Sequence, residues 1–445
     1  DYLMQGYVGG EDSAWTGIQR LPPASTLSWR PGEAPQIRRY WDLPTDRLRE
    51  PASAEEILEQ LDRVVAEHMV ADVPLGAFLS GGIDSTAVAT SMAAHSRSAL
   101  IACSVGFREK DFDELDLARA TAARLGAVHH TEVLDPDPTL ATDVLPWIYD
   151  EPLADPSTVP SYLVSKMARE HVTVALSGDG GDEIFAGYRR YVHDLAENRL
   201  RARLGRTGVN AAAAVGAHYP KLDWAPRFLR AKTFLSNLGR TPAQAYWRSV
   251  TQLDRESALE LLAPDVARRL ASHDPFEHFE RFYARPSVDD PLYRAQYADF
   301  HTYLPDQILA KADRASMGVS LEVRPPLLDH RFVERFAPLP AREKVRGARG
   351  KHALREALRS RVPAEILDGR KRGFDTPLKR WIAGPLRGAV AEALETLPEA
   401  WFQRDVLRAR LAEHAAGARD HGRLLWSLLV LEHWRRRHAV RGLSA

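Results

Sequence analysis

The chain has 445 residues, 44% hydrophobic and 27% charged, which suits a globular protein with a sizeable core and two to three domains. Lys plus Arg equal Asp plus Glu at 60 each, so the formal charge is zero, and a nucleic-acid binder, which needs a basic surplus, is excluded as a first reading. One cysteine, Cys103, excludes an internal disulfide and a cysteine metal cluster and suits a reducing cytoplasm, while no apolar run is long enough to cross a bilayer.

Residues 1–46 show short apolar pieces broken by turn signals (Gly9-Gly10, Leu21-Pro22-Pro23, Arg30-Pro31-Gly32), too little for a core of their own. Ser53 with Glu56 forms a capping box, and Ile57, Leu58, Leu61, Val64 and Val65 then recur at helical spacing. From Val73 the pattern alternates. Leu75–Leu79, Ala99–Phe107, His129–Leu134 and Val172–Leu176 read as strands, with helices expected over Ala87–Ala94 and Phe112–Leu125 and two more before Val172. Such alternation predicts an α/β fold with a doubly wound parallel sheet, which binds ligands at the carboxyl ends of its strands. Cys103 falls within the second strand and reads as a small hydrophobe rather than a nucleophile. The rest of the chain is helical in pattern, and the closing run Arg435, Arg436, Arg437 and Arg441 reads as a solvated helix end.

Two glycine-rich loops follow strands. Ser80-Gly81-Gly82-Ile83-Asp84-Ser85 turns tightly between a strand and a helix. Its glycines let backbone N–H groups approach an anion, and the helix start adds its positive dipole end. Asp84 can hold a magnesium ion that bridges phosphates. The lysine of a Walker motif is absent, which excludes a P-loop kinase or GTPase pattern. Ser177-Gly178-Asp179-Gly180-Gly181-Asp182-Glu183 crowds three acids among glycines at a second strand end. The bland reading is a tight turn with solvated acids. The functional one pairs Asp182 with Asp84 around magnesium.

These loops resemble those of the asparagine synthetase (glutamine-hydrolysing) family, whose synthetase domain belongs to the ATP pyrophosphatase, or PP-loop, group. Further motifs match in the same order: Phe107, Asp150-Glu151-Pro152, Asp155-Pro156-Ser157, Lys311 to Met317, Ser320 to Pro325, Leu328-Asp329, Lys371-Arg372-Gly373-Phe374 and Leu425 to Leu429. The resemblance implies a synthetase domain over about residues 50–440 with extensive added helices. Residues 1–46 resemble the end of an N-terminal glutaminase domain, in Ile18 to Pro23 and Tyr40 to Pro44.

Position by position, the resemblance implies that Leu79 and Val105 line the adenine and ribose pocket. Ser80, Gly81, Gly82 and Ser85 cradle the pyrophosphate, Ser177 and Gly178 contact the nucleotide, and Asp84 and Asp182 bind Mg2+. Asp179 matches the acid linked to forming the acyl-adenylate, and Lys371 the lysine that steadies phosphate charge. Glu322, with Arg324, Asp313 and Arg314, reads either as a catalytic or recognition residue or as part of an ion pair joining elements. The implied reaction uses ATP to activate a carboxylate such as aspartate as acyl-AMP, which ammonia then attacks. The family's cysteine nucleophile has no counterpart at Asp1, so the chain is expected to use ammonium without its glutaminase partner domain. No nucleic-acid or membrane partner is expected, and a homodimer is one expectation for assembly.

Rival readings stay open. Lasso-peptide or β-lactam type cyclases would share the fold, though β-lactam synthetases carry a tyrosine where Asp179 stands and a glutamate at the position of Glu322. A tRNA-modifying ATP pyrophosphatase would share the first loop but usually adds basic patches or cysteines.

Overall fold

The computed structural model describes residues 1–109, 114–134, 137–219, 232–369 and 376–440. Lys371 and its motif through Phe374, the expected helix start at Phe112, and Arg441 lie outside the described residues.

Five strands form the central sheet: β3 (Leu75–Phe78), β4 (Ile101–Phe107), β5 (Val128–Leu134), β6 (Val174–Leu176) and β7 (Glu322–Arg324); β1 (Ser25–Ser28) and β2 (Gln36–Arg39) pair antiparallel in a separate ribbon. The sheet order is β5-β4-β3-β6-β7, and every pairing in it is parallel. The four strands expected from the alternating pattern are present. The fifth, β7, is three residues long inside a mixed polar stretch and carries no apolar run that could reveal it.

Helix α1 (Ala54–His68) starts where the cap chemistry places it: the Ser53 side chain accepts the Glu56 N–H, and Ile57, Leu61, Val64 and Val65 are buried along one face. Helix α2 (Ile83–His95) buries every residue from Thr86 to Met92, as expected for a helix covered on all sides. It follows β3 directly. Helices α3 (Leu115–Leu125) and α4 (Thr158–Arg169) belong to the crossovers that follow β4 and β5, and α5 (Gly181–Phe185) follows β6.

The chain runs β3, β4, β5 outward to one edge and then returns to lay β6 on the other side of β3. Strands β3 and β6 therefore flank the point where the winding reverses, and the loops leaving their carboxyl ends face each other across it.

Residues 1–46 have no core of their own. Met4 and Leu43 join the main apolar core, and Tyr7 joins a second one built with the carboxyl-terminal helices and capped by Trp426 and Leu428. The β1–β2 ribbon leaves Leu27, Trp29, Ile37 and Tyr40 exposed. No described helix is long and apolar enough to cross a membrane.

The arginine run is in part the solvated end expected of it, with Arg436 and Arg437 exposed, but its side chains also have partners. Arg435 and Arg436 both donate to Glu432, whose side chain is fully buried, and Arg437 stacks over Trp147 at 4.2 Å. A buried carboxylate has to be compensated, and two of the arginines supply that compensation.

Candidate functional site

The loop after β3 is tied to the root of its helix by side chains. Ser80 Oγ lies 2.8 Å from Ser85 Oγ and accepts the Gly82 N–H at 3.1 Å, while the Ser80 N–H donates to Ser85 Oγ at 3.1 Å. This knot leaves Gly82 extended as the residue preceding α2, so the first N–H groups of the helix point out of the strand end. Leu79, 2% exposed, anchors the loop by donating its N–H to the Cys103 carbonyl at 2.9 Å. Its own carbonyl accepts the Ser104 hydroxyl, and His129 Nε2 lies 2.7 Å from the same Ser104 oxygen. With that hydroxyl proton committed to Leu79, His129 donates from Nε2, which fixes its tautomer.

The loop after β6 packs directly on the first. A side chain on Gly178 would place Cβ 2.7 Å from the Ser85 backbone nitrogen and 2.9 Å from the Asp84 carbonyl carbon. Only glycine allows that approach. Gly180, at φ +92°, makes the left-handed turn into α5. The Ser177 N–H donates to the Arg324 carbonyl at 3.0 Å, and its hydroxyl donates to Asp179 Oδ2 at 2.8 Å.

The two loops bring Asp84 and Asp182 to one place, and Lys351 stands between them. Its Nζ is 2.5 Å from Asp182 Oδ1 and also contacts Asp84 Oδ2, with the lysine side chain 3% exposed. Lys351 precedes α6 (His352–Leu358) in a left-handed conformation, φ 59° and ψ 31°, and its N–H donates to the Phe185 carbonyl at 2.8 Å. A non-glycine residue held there marks a strained position that the surroundings over-determine. Burial lowers the Lys351 pKa, against the attraction of Asp84. Asp84 Oδ1 is buried and accepts no hydrogen bond from the described residues. Two carboxylates and one ammonium leave a net negative charge, and an unpartnered carboxylate oxygen is the donor type that a hard cation takes. The residues present thus fit magnesium held jointly with phosphate oxygens.

A second buried ion pair lies beside the β6 loop. Lys311 Nζ is 2.9 Å from Ser157 Oγ and 3.3 Å from Asp155 Oδ2. Burial alone would lower the Lys311 pKa, but Asp155, then Tyr303 and Asp179, together raise it. The sequence matched the motifs carrying Lys311 and Asp155 without assigning them a task. Lys351 was missed altogether: it sits in Gly350-Lys351-His352, with no strand end or glycine pair to draw notice.

Of the expected site residues, Leu79, Ser80, Gly81, Gly82, Asp84, Ser85, Ser177, Gly178, Asp179 and Asp182 gather at the facing loops. Val105 lies farther along β4, half-buried, in contact with two of the apolar clusters. Glu322 stands apart. It opens β7 opposite Val174, at the amino end of the sheet; its side chain is 55% exposed and paired to Arg324 Nε at 2.6 Å. Arg324 in turn donates to the His68 and Val70 carbonyls, tying the edge strand to the end of α1. Cys103 is buried, and burial pushes its thiol up to about 12. A cavity of about 300 Å³ lies elsewhere, between the Gly9–Asp12 stretch and His273–Arg281.

Residues 56–436 match the family model described as asparagine synthase. Asparagine synthetase (glutamine-hydrolyzing) 1 of Bacillus subtilis (strain 168) is 31% identical over 442 residues, covering 97% of this chain and 67% of that protein. Asparagine synthetase (glutamine-hydrolyzing) 3 of the same strain is 28% identical over 376 residues, covering 80% of this chain and 54% of the relative. Amidase chyE of Penicillium rubens is 27% identical, covering 84% of this chain and 61% of the relative. The chain spans about two thirds or less of each of these relatives. With the facing loops on a parallel sheet and a match across most of its length, the chain belongs to the asparagine synthase family.

Proposed function

We propose that the chain carries out ATP-dependent amide synthesis through an acyl-adenylate, most simply aspartate, ATP and ammonia to asparagine, AMP and pyrophosphate. The observation that carries this reading is the meeting of Asp84, Asp182 and Lys351 where two glycine-rich loops end their strands. A carboxylate oxygen attacks the α-phosphorus, the α–β bridging bond breaks, and pyrophosphate leaves. Ammonia then attacks the acyl carbon, gives up a proton, and expels AMP.

In this reading the Ser80–Ser85 loop and the start of α2 cradle the departing pyrophosphate, with Lys351 as a fixed cation beside it. Asp84 and Asp182 would hold magnesium, which when bound neutralises phosphate charge. The described residues gather no group of three or more His, Cys, Asp or Glu side chains as a metal site, so phosphate and water would complete the shell. Asp179 is proposed to steer the incoming amine, and Lys371 is proposed as the second phosphate-facing lysine. Leu79 and Val105 are proposed to border the nucleoside. For Glu322 the exposed pairing with Arg324 favours a structural part, the tie between β7 and α1.

Ammonia is the proposed nitrogen source for the residues present. About a third of asparagine synthetase (glutamine-hydrolyzing) 1 and nearly half of asparagine synthetase (glutamine-hydrolyzing) 3 lie outside the match, which supports a glutaminase portion beyond the sequence given, with residues 1–46 as its end. The amidase-named relative keeps open a tailoring enzyme that forms an amide on another carboxylate. Incubation with ATP, magnesium, ammonium and aspartate, with the product identified by mass, separates the two. Asparagine with one AMP per amide supports the first reading. Pyrophosphate release only with a different carboxylate moves the protein to the second.

A further inference from the structure

Two short segments each touch the amino-terminal stretch and the Asp155–Lys311 pair. The first is the loop from Asp150 to Ser157. Its Glu151 carboxylate accepts Arg20 Nε at 3.0 Å and Nη2 at 2.7 Å, a two-pronged pairing, and also the Ala14 N–H at 2.9 Å. Asp155, in the same loop, accepts from the Ser157 N–H and hydroxyl, from Gln307 Nε2 at 3.2 Å and from Lys311 Nζ.

The second segment is the π-helical turn Leu304–Leu309. Wide turns of this kind occur frequently at functional sites. Its Asp306 accepts the Gly10 N–H at 2.8 Å and faces Arg20 Nη1 at 3.4 Å. The next residue, Gln307, is the one that donates to Asp155. Trp15 pins the stretch a third time: its indole N–H and that of Trp434 share the Asp150 carbonyl, each at 3.2 Å.

Both routes start at Arg20 and converge on Asp155. Without the guanidinium, Glu151 and Asp306 would face each other as two half-buried carboxylates. Burial already pushes the Asp306 carboxyl up to about 6, with Gly10 and Arg20 pulling it down and Glu151 raising it further. Their repulsion would act on the two segments that hold Lys311.

We propose that Arg20 is a positioning residue: through Glu151 and Asp306 it holds the Asp150–Ser157 loop and the Leu304–Leu309 turn so that Lys311 keeps its place against Asp155 and Ser157. The stretch around Arg20 thereby sets the competence of the nucleotide site without touching the reacting atoms. The activity part of this inference rests on the adenylation reading; the coupling part rests on geometry alone.

The test uses the full chain with Arg20→Met, Arg20→Lys and the double variant Arg20→Met with Asp306→Asn. Amide hydrogen exchange is followed over residues 150–157 and 304–311, together with ATP affinity and pyrophosphate release with aspartate and ammonium. Arg20→Met should speed exchange in both segments and lower kcat by roughly 10- to 100-fold, the cost of misplacing a site group by about an ångström, with ATP affinity nearly unchanged. Arg20→Lys should fall between, and the double variant should recover part of both losses. Unchanged exchange in the two segments of a folded Arg20→Met protein would overturn the inference, as would faster exchange with unchanged kcat. Should the unsubstituted chain release no pyrophosphate, the adenylation reading fails, and the exchange measurement still decides the coupling.

Discussion

Lys351 and Asp182 meet at 2.5 Å although they come from distant parts of the chain, and the same ammonium contacts Asp84 from the facing loop. One buried cation thus joins the two loops. Removing one partner of a buried ion pair costs about 3–5 kcal/mol, because the remaining charge stays uncompensated.

Lys351→Met should therefore lower the denaturant midpoint substantially and abolish ATP turnover. Adding Asp84→Asn should return part of the stability, since it removes one of the two carboxylates left in conflict, but none of the activity. Equilibrium unfolding of the two single variants and the double variant reads this directly. Strictly additive losses would contradict a coupled triad.

Gly178 offers a steric test. Its Cβ would press on the backbone of Asp84 and Ser85, so Gly178→Ala should force the loops apart and reduce pyrophosphate release by about 100-fold with little change in circular dichroism. Gly388, in the helix Arg387–Thr396, has none of the described residues within 4 Å of where a Cβ would stand. Gly388→Ala should leave activity intact and raise stability by about 0.5–1 kcal/mol. Equal activity in the two variants would argue against loop contact as the determinant.

Glu183, beside the β6 loop, gives a pH signature. Burial pushes its carboxyl up to about 7 from an ordinary 4.5, against the pull of the Tyr188 hydroxyl 2.7 Å away. The folded state therefore holds this proton more tightly than the unfolded chain. Its contribution to stability is complete below about pH 4.5 and is lost as the pH rises through about 7. Glu183→Gln, neutral throughout, should gain on the unsubstituted protein by about 2–3 kcal/mol between pH 4 and 8, read from urea midpoints. A pH-independent difference would contradict the buried, protonated carboxyl.

Strands β3, β4 and β6 were legible as apolar runs, β5 (Val-His-His-Thr-Glu-Val-Leu) only from its place in the alternation, and the cap at Ser53 because serine and glutamate stand three apart. Strand β7 was not, since Glu322-Val323-Arg324 is an edge strand whose polar residues pair with each other and with α1. The two loops announced themselves through glycine spacing. Lys351 could not, because nothing local marks a lysine whose partners arrive from two other strand ends. Asp155 and Lys311 were visible as motifs, but their pairing, and the tie from Arg20 through Glu151 and Asp306, exist only once the helices are packed.

The most direct measurement of the proposed chemistry follows an oxygen atom. Aspartate labelled with 18O in its side-chain carboxylate is incubated with the chain, ATP, magnesium and ammonium, and the AMP is examined by mass spectrometry. If the carboxylate attacks the α-phosphorus and ammonia later displaces AMP, one labelled oxygen must leave with the nucleotide, and asparagine must retain the other. Unlabelled AMP, or ADP and phosphate in place of AMP and pyrophosphate, would contradict an acyl-adenylate.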